Sequence, residues 1–379
     1  MKILFICSWS PYPTMSGGRR RSRQVIEFLD ARHQLEVISF AGGPVEREAL
    51  EGKGTAVPYQ YHHRNSSLPP SIWPFESSFL QELLVEKQAE GFQVTIFDQL
   101  FSTCFVKHSC GTPVLMEQNI ESQILRRMAA TAEGHQKRLT LAQFMALRSY
   151  ESRIWPEFPV RTCVSEVDAQ IMREICPNGE VVVVPNGVDL ERARLLDLGG
   201  SSRLLFVGAL DYGPNQDAVE RLCNGIMPLL WQRDPAFKLR VMGRNPSQEV
   251  SDLMAADSRL ELMANVPELE EPASECCLSL VPLRAGSGTR LKILEASAWG
   301  MPVVTTPMGC EGLNQELLDC LCLAESDEAL AEAVWELWNN PQRRIEMAEK
   351  ARAVVSRDYG WSKALEPLQQ ALLKLERSL

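Results

Sequence analysis

Apolar and polar positions follow the same pattern twice along the chain. An apolar run from Lys2 to Cys7 precedes a Pro/Gly-containing loop and a helical segment from about Arg19 to Arg32. A second run, Arg203 to Gly208, precedes a loop from Ala209 to Asn215 and a helical segment from Gln216 to Leu230. Each helical segment leads into another short apolar run, Leu35 to Phe40 and Lys238 to Met242. Such strand–loop–helix–strand units predict α/β domains with doubly wound parallel sheets.

Further runs complete two such domains. Strands are predicted at Val94–Phe97, Val114–Glu117, Arg161–Val164, Val181–Val184, Leu278–Val281 and Val303–Thr306, with a long helical region from Glu121 to Trp155. The predicted division is a first Rossmann-like domain at 1–185, a linker at 186–202, a second Rossmann-like domain at 203–357 and a terminal helix at 358–379. Leucines at helical spacing define that last helix, which either packs on its own domain or crosses back onto the first.

Composition narrows the class of protein. The chain has 379 residues, which favours two domains over one core. Its formal net charge of −10 argues against binding to duplex nucleic acid. Residues 1–180 hold 19 Lys and Arg against 20 Asp and Glu, so this half carries almost none of the negative charge. It therefore tolerates an anionic substrate or a weak peripheral contact with a membrane, although no long basic amphipathic helix is evident there.

The cysteines indicate a reducing compartment. The chain has 11 of them, scattered through apolar runs and without a zinc-like CxxC pair. No stretch approaches the ~18 apolar residues of a membrane span. The expected location is therefore the cytoplasm, free or peripheral at the inner face of the membrane.

The segment from Pro282 to Ala296 is the strongest candidate site. It follows an apolar run from Cys276 to Val281 and contains a Gly-rich turn, two cations and a helical pattern. A strand, a Gly-rich turn and a helix N-terminus form an anion site, because free backbone N–H groups and the positive helix end point the same way. Arg290 and Lys292 add positive charge there. Glu295 shares a helix face with Lys292 and can accept hydrogen bonds from ribose; a plain surface ion pair is the alternative.

A second candidate is the loop that follows the first strand. Gly17 and Gly18 let a ligand approach the backbone at a helix N-terminus, although a plain tight turn has the same composition. The loop lacks the GxGxxG spacing of a dinucleotide site. The arginines that follow are either a solvated helix face or the border of a site for an anionic acceptor; they are Arg19, Arg20, Arg21 and Arg23.

Polar residues also gather where predicted strands end. They are Asp98 and Gln99, Glu117 to Glu121, Ser165 and Glu166, and Asn186 to Asp189. Because parallel sheets bind ligands at the carboxyl ends of their strands, these residues predict a cleft. Helix capping is the alternative for each of them, and above all for Ser165.

Together these segments resemble the family 4 glycosyltransferases, and in particular a subgroup with a G-S-G-T-R-L-K-I-L-E donor loop. Gly17-Gly18 matches the family's N-terminal Gly-rich loop, and Glu117 to Glu121 resembles an E-H-N-V-E segment. The other matching segments are Val164–Glu166, Val184–Asp189, Phe206–Gly208, Asn265–Pro267, Gly286–Glu295, Gly300–Val304 and Thr306–Gly312. The resemblance covers nearly the whole chain and implies a GT-B fold, with two Rossmann-like domains facing across a cleft.

Three positions depart from the family pattern. The first Glu of its E-x7-E motif falls on Ser287, and the histidine often found near the donor sugar falls on Gln118. The Arg and Lys that often follow the second domain's first strand fall near Ala209 and Asn215. Arg290 and Lys292 are therefore the cations expected at the diphosphate.

The resemblance implies retaining transfer of a hexose from a UDP- or GDP-sugar to a hydroxyl of a glycan, a lipid-linked sugar or a small molecule. Developing charge on the diphosphate is then stabilised by cations and N–H groups rather than by a metal or another cofactor. The implied catalytic residues are Arg290, Lys292, Glu295 and Gln118. The implied donor-binding residues are Gly208, Asn215, Arg244, Val266, Ser287, Gly288, Thr289 and Leu291. The implied acceptor or cleft residues are Gly17, Gly18, Arg19, Asp98, Asn119, Glu121, Ser165 and Asn186.

Other functions remain open from the sequence alone. A GT-B nucleotide-sugar epimerase would need titratable groups in the cleft, which Gln118 does not supply. A non-catalytic subunit that binds a nucleotide sugar is compatible with the departures at Ser287 and Gln118. A nicotinamide dehydrogenase would carry a GxGxxG motif after its first strand, and this chain has none there.

Overall fold

The computed structural model describes residues 1–13, 16–59, 67–193, 195–196, 201–266 and 268–377. The chain divides into two compact units, Met1–Pro185 with Leu365–Leu379, and Asn186–Ala364. Parts of several predicted segments lie outside the described residues: Thr14 and Met15 of the first loop, Arg194 and 197–200 of the linker, Pro267, and Ser378 of the terminal helix.

The first unit is built on a parallel sheet that has seven strands within the described residues, in the order β3-β2-β1-β4-β5-β6-β7. The strands are β1 Lys2–Cys7, β2 Gln34–Phe40, β3 Thr55–Val57, β4 Val94–Asp98, β5 Thr112–Met116, β6 Val160–Cys163 and β7 Glu180–Val183. The connections reverse direction between β1 and β4, where Cys7 lies opposite Asp98. In doubly wound sheets this switch point is where ligands bind.

The first unit also contains α-helices. They are α1 Gly17–Asp30, α2 Pro44–Leu50, α3 Ser78–Lys87, α4 Glu121–Thr131, α5 Gly134–Ile154 and α6 Glu166–Ile175. A 3-10 segment, Leu100–His108, follows β4. β1 and β4 are buried along almost their whole length, as expected for parallel strands covered on both faces.

The second unit repeats this plan with a parallel sheet in the order β10-β9-β8-β11-β12-β13. Its strands are β8 Arg203–Val207, β9 Lys238–Gly243, β10 Leu260–Ala264, β11 Leu278–Val281, β12 Val303–Thr305 and β13 Cys322–Leu323. Its helices are α7 Gly213–Arg221, α8 Met227–Arg233, α9 Gln248–Ala255, α10 Glu270–Ser274, α11 Leu291–Ala298, α12 Gln315–Leu318, α13 Asp327–Trp338, α14 Pro341–Asp358 and α15 Trp361–Ala364. The switch point lies between β8 and β11.

Several boundaries differ from the sequence prediction. Helix α1 begins at Gly17, because Ser16 caps it by accepting a hydrogen bond from the Arg19 N–H. The helix predicted from Gln216 is α7 and α8 joined by a π turn at Leu222–Ile226, whereas β11 has the predicted bounds, Leu278–Val281. The short strands β3, β10 and β13 were not predicted.

The C-terminal helix α16, Glu366–Glu376, belongs to the first unit although it follows the second along the chain. Its Leu368 and Leu372 are completely buried. Gln369 hydrogen-bonds His33 at 2.9 Å, and the Lys374 ammonium lies 2.8 Å from Glu180 Oε2. The structure therefore selects the second of the two packings that the sequence left open. No helix in the described part of the chain is long and apolar enough to cross a bilayer.

Candidate active site

The loop between β11 and α11 lies at the switch point of the second unit's sheet. Gly286 and Gly288 have φ angles of +146° and +71°, which other residues rarely adopt. A Cβ atom at Gly286 would lie 2.6 Å from Nη2 of Arg290. These two positions therefore require glycine, because the loop turns sharply and the guanidinium lies against its backbone.

Arg290 stabilises this loop from within. Its Nη1 donates hydrogen bonds to the carbonyl oxygens of Ser287 and Gly288, and Nη2 lies 3.3 Å from the carbonyl oxygen of Met308. The sequence placed Arg290 in the first turn of the helix, reaching an anion; in the structure it precedes α11, which begins at Leu291. Three backbone carbonyls thus orient a side chain that the sequence analysis had assigned to the ligand alone.

Lys292 is the second cation at this switch point. Its ammonium donates to Oδ1 of Asn215 at 2.8 Å and lies 4.1 Å from the centre of the Phe206 ring. Burial lowers the pKa of Lys292 well below its ordinary value, and the Arg290 guanidinium lowers it further. Among the described residues, no carboxylate forms an ion pair with Lys292, so the predicted alternative of a pair with Glu295 is wrong. An ammonium held this way is suited to an incoming anion.

Residues around the two cations are largely buried. Ser287, Thr289 and Glu295 are each less than a tenth exposed, and Leu291 packs against the core of the second unit. The amide of Asn186 donates to Oγ1 and to the carbonyl oxygen of Thr289, at 2.9 and 3.0 Å. Asn186 was predicted on the acceptor side; the structure instead groups it with the predicted donor loop.

The loop after β8 faces the same switch point. A Cβ atom at Gly208 would lie 2.8 Å from Nδ2 of Asn215, which donates to the carbonyl oxygen of Ala209 at 2.9 Å. Asn215 therefore connects the β8 loop to Lys292. The other two predicted donor residues of this unit lie at neighbouring strand ends: Arg244 forms an ion pair with Asp211 at 3.3 Å, and Val266 packs on the core.

In the first unit, a polar cluster occupies the switch point between β1 and β4. Nε2 of Gln118 lies 3.2 Å from Oδ1 of Asp98, 3.1 Å from Oγ of Ser22 and 3.4 Å from the carbonyl oxygen of Gly18. Ser22 donates to Oδ2 of Asp98 at 2.5 Å. A Cβ atom at Gly18 would lie 2.9 Å from Oε1 of Gln118. The glycine therefore makes room for the amide, and Gly17 precedes it as the first residue of α1.

Asp98 is almost completely buried within this cluster. Burial raises its pKa to about 6, while hydrogen bonds from Ser22 and Gln118 and the positive charge of Arg21 act in the opposite direction. Gln118, the position at which the resemblance predicts a histidine, cannot titrate, but its amide contacts the Asp98 carboxyl group.

Three carboxyl groups of the first unit, Glu117, Glu121 and Glu151, lie close enough to influence one another. Glu117 accepts hydrogen bonds from the Leu100 N–H and the Trp155 indole, and burial raises its pKa well above the ordinary value. Burial also raises the pKa of Glu121 and of Glu151, each to about 7. Asn119 lies beside Glu121, its amide 3.4 Å from the carboxylate.

The predicted arginine cluster separates into different roles. Arg21 is 1% exposed and donates to the carbonyl oxygens of Val184 and Pro185 at 2.7 and 2.8 Å. Arg19 forms an ion pair with Glu46 at 2.5 Å, and Arg23 one with Glu27 at 2.7 Å. The four arginines therefore do not share one solvated face, because Arg21 points inward and fixes the end of β7.

Ser165 caps α6. Its hydroxyl donates to Oδ2 of Asp168 at 2.6 Å and accepts from the Asp168 N–H at 3.1 Å. Helix capping, the alternative interpretation of Ser165 in the sequence analysis, therefore agrees with these contacts. Sequence reasoning missed Ser22, which lies one helical turn after Gly18 on the same face of α1, and Phe206, whose ring meets Lys292. The helical spacing could have revealed the first of these.

A family profile matches most of the second unit. Residues 201–340 match the profile of a family described as Glycosyl transferases group 1. An uncharacterized 44.6 kDa protein in the cps region of Klebsiella pneumoniae is 24% identical over 172 residues. That alignment covers 44% of this chain and 44% of the Klebsiella protein, so the chain spans less than half of that curated relative.

Solved structures match over the whole length. A sucrose-phosphate synthase from Thermosynechococcus elongatus superimposes with a TM-score of 0.74 at 14% identity, covering 100% of both chains. Anabaena HepE in complex with UDP-glucose superimposes with a TM-score of 0.71 at 12% identity, covering 99% of this chain and 100% of HepE. At such identities the likeness shows the fold, which is GT-B as predicted.

The second unit therefore contains a region that matches the group 1 glycosyltransferase profile, and the fold of the whole chain is GT-B. Membership of family 4, and of the subgroup with the G-S-G-T-R-L-K-I-L-E loop, remains a prediction.

Proposed function

We propose that the protein transfers a hexose from a UDP- or GDP-sugar to an acceptor hydroxyl, with retention at the anomeric carbon. The observation that carries this proposal is the environment of Lys292. Its ammonium lies at the sheet's switch point, beside the start of α11, in contact with an amide oxygen and an aromatic ring. A diphosphate is the kind of ligand that such a site favours, because it supplies the missing negative charge.

The second unit would hold the donor. The Lys292 ammonium would meet the diphosphate, while Arg290 keeps the loop of Ser287 and Gly288 in shape and adds positive charge nearby. Glu295, three residues after Lys292 in α11, would accept hydrogen bonds from ribose. The demand on these residues is electrostatic, since charge develops on the diphosphate as the glycosidic bond breaks.

The first unit would recognise the sugar and the acceptor. Gln118, held by Asp98 and Ser22, would offer an amide to a sugar hydroxyl, and Asn119 would lie next to it. Gly17, Gly18 and Arg19 would border the acceptor. A glycan, a lipid-linked sugar and a small molecule all remain acceptors to test. The proposed chemistry uses the protein's own cations at the diphosphate, without a metal ion.

HepE supports the nucleotide part of this proposal, because this GT-B protein is solved in complex with UDP, with UDP and glucose, and with UDP-glucose. The group 1 match over the second unit agrees with a nucleotide sugar as co-substrate.

The test begins with nucleotide diphosphates and their sugars in a thermal-shift assay, since a ligand of the folded state raises its melting temperature. The donor so found is then supplied with candidate acceptors, and the anomeric configuration of the product is read by NMR. Failure of every nucleotide to shift the melting temperature would contradict donor binding, and an inverted product would contradict retention. Wild-type turnover in both Glu295→Ala and Arg290→Ala would contradict the site assignment.

A further inference from the structure

The loop between β11 and α11 is held at its start through three successive backbone carbonyl groups. The middle one, the buried carbonyl group of Pro282, accepts a hydrogen bond from Nη1 of Arg221 at 3.0 Å. Two hydroxyl groups at the carboxyl end of β12 hold the carbonyl groups on either side, Thr305 that of Val281 at 2.9 Å and Thr306 that of Leu283 at 2.6 Å. One of the three supports is therefore a charged side chain, and it comes from a different element.

Arg221 is the last residue of α7, and only 8% of it is exposed. Besides the contact with Pro282, its Nε donates to Oδ1 of Asp327 and its Nη2 to the carbonyl oxygen of Glu325, both at 2.5 Å. These two residues lie on either side of Ser326, the N-cap of α13. The guanidinium group thus connects the first turn of the loop to the start of α13, and all its donors point at fixed acceptors.

The π turn that follows α7 lies against the same carboxylate. It spans Leu222–Ile226, and a Cβ atom at its Gly225 would overlap Oδ2 of Asp327. Glycine at this position leaves room for the carboxylate beside the helix, where it meets Arg221. Single π turns within helices are rare and frequently occur at functional sites. The irregular turn and the small residue therefore both accommodate the Arg221–Asp327 pair.

A second ion pair joins α7 to the same loop, but it lies at the surface. Arg284 donates to Asp217 at 3.0 Å, and its side chain is 45% exposed. Exposed pairs contribute little, because water and salt screen the charges. The carbonyl group of Pro282 is buried instead, and a buried acceptor that loses its donor costs free energy. Removal of Arg221 therefore favours a shift of the loop that brings this carbonyl group to water.

We propose that Arg221 is a positioning residue for the donor, because it fixes the first turn of the loop whose later residues, Gly288 to Lys292, are proposed to meet the diphosphate. This inference rests on the function proposed above. A loop without the Arg221 contact spends only a fraction of its time in the binding shape, and the apparent affinity for a nucleotide falls in proportion to that fraction. A bound donor has already selected the competent shape. Arg221 therefore acts on KM for the donor rather than on kcat.

The test compares Arg221→Met with the wild type and with a matched variant, Arg240→Met. Arg240 belongs to the same unit, is 4% exposed and likewise binds carboxylates and one carbonyl oxygen, those of Glu261, Glu275 and Pro272. None of these partners lies in the loop 282–290. The pair of variants therefore separates the loss of a buried arginine from the loss of the contact with the loop.

Hydrogen exchange detected by mass spectrometry measures the loop directly and without a ligand. In Arg221→Met the amides of residues 283–290 should exchange about tenfold faster than in the wild type, whereas Arg240→Met should leave them unchanged. Calorimetric titration with UDP and with GDP should show about tenfold weaker binding of the nucleotide that the wild type binds, in Arg221→Met alone. With the corresponding donor sugar, KM should rise by about the same factor and kcat should change by less than about twofold.

Arg221→Lys is a milder variant that carries the test if Arg221→Met does not fold. Lysine keeps the charge beside Asp327, but its single nitrogen cannot reach both carbonyl groups as the planar guanidinium does. Loop exchange and KM should therefore lie between those of the wild type and Arg221→Met.

Unchanged exchange in the loop of both Arg221 variants, or faster exchange with unchanged nucleotide affinity, would overturn the proposal. So would an equal loss of affinity in Arg240→Met, or a fall in kcat without a rise in KM. If the wild type binds neither UDP nor GDP, the proposed function fails and this inference fails with it. If the wild type binds one of them and Arg221→Met binds it equally well, only the inference fails.

Discussion

The Lys292 ammonium lies near Asn215, Phe206 and Arg290, and none of these three side chains carries a negative charge. Replacing Lys292 by Gln should weaken UDP binding by about 10- to 100-fold, the usual effect of losing one charged hydrogen bond. Isothermal titration calorimetry with UDP measures this change. The matched control is Arg284→Gln, a cation on the same loop that is half exposed and paired with Asp217. Equal losses in the two variants would contradict a specific role for Lys292.

The same residue predicts a pH dependence of nucleotide binding. Burial and Arg290 lower the pKa of Lys292 in the free protein, whereas a bound diphosphate would favour its charged form and raise that pKa again. UDP binding should therefore take up a proton, and affinity should fall as pH rises through the free-state pKa. Calorimetry in buffers of different ionisation enthalpy counts the proton. If proton uptake on UDP binding persists in Lys292→Gln, another group takes up the proton.

Gly18 offers a test of the Gln118 cluster. In Gly18→Ala the new Cβ would lie 2.9 Å from Oε1 of Gln118, so the amide must move away from Ser22 and Asp98. We expect a loss of stability below about 1 kcal/mol, because the end of a flexible side chain yields, but about a tenfold loss of transfer rate. Gly43→Ala is the control, since its Cβ would meet nothing within 4 Å. An unchanged rate in Gly18→Ala would argue against a role for the Gln118 position.

Most of these residues could be singled out from the sequence, but their partners could not. Lys292, Asn215 and Gln118 stand at ends of predicted strands or in helix starts, where local pattern is informative. The contacts of Gln118 with Ser22 and Asp98, by contrast, join residues 96 and 20 positions apart. They depend on β1 and β4 being neighbours in the sheet, which no local pattern encodes.

At the scale of elements, the α4–α5 pair carries carboxyl groups that titrate near neutrality. Burial raises the pKa of Glu151 from its ordinary value of 4.5 to about 7, against the effect of the Ser122 hydroxyl and N–H, which both donate to it. The folded protein thus binds a proton here that the unfolded chain has already lost. The resulting stabilisation is fully present only below about pH 4.5 and is lost as pH rises through 7.

We therefore expect the melting temperature to fall as pH rises from about 4.5 to about 7, with Glu121 contributing in the same sense. Glu151→Gln should flatten this dependence and stabilise the protein by about 2 kcal/mol at pH 8, because the amide removes the buried charge; its oxygen accepts from the Ser122 N–H, and the Ser122 hydroxyl turns to accept from its NH2 group. Glu157→Gln, at an exposed position nearby, is the control. Identical pH profiles for wild type and Glu151→Gln would disprove the assignment.

At the scale of the whole molecule, the chain ends in the unit where it began. Helix α16 buries Leu368 and Leu372 in the first unit, and the N-terminal ammonium lies 3.6 Å from Glu376. The last helix therefore stabilises a sheet whose final strand, β7, ends at Val183, far earlier along the chain.

Leu372→Ala should lower the stability of the first unit by about 2–5 kcal/mol, the cost of emptying a completely buried leucine site. The neighbouring Leu373→Ala, at a position 38% exposed, should change stability by less than about 1 kcal/mol. Calorimetric unfolding compares the two variants. If Leu372→Ala and Leu373→Ala lower the melting temperature equally, or if Leu373→Ala lowers it more, α16 does not pack as the structure shows.

The sequence by itself determined the class of each element and the two-fold repetition of the α/β plan. It also identified α11 with its Gly-rich start, because burial of one face imposes a short-range period that can be read locally. Only the tertiary structure decided that Arg290 turns toward its own loop and that Arg21 is buried. The same holds for the unit that α16 joins and for the contact of Arg221 with Pro282. These depend on strand order and on which surfaces meet after folding, and such contacts link residues too distant along the chain for any local period to record.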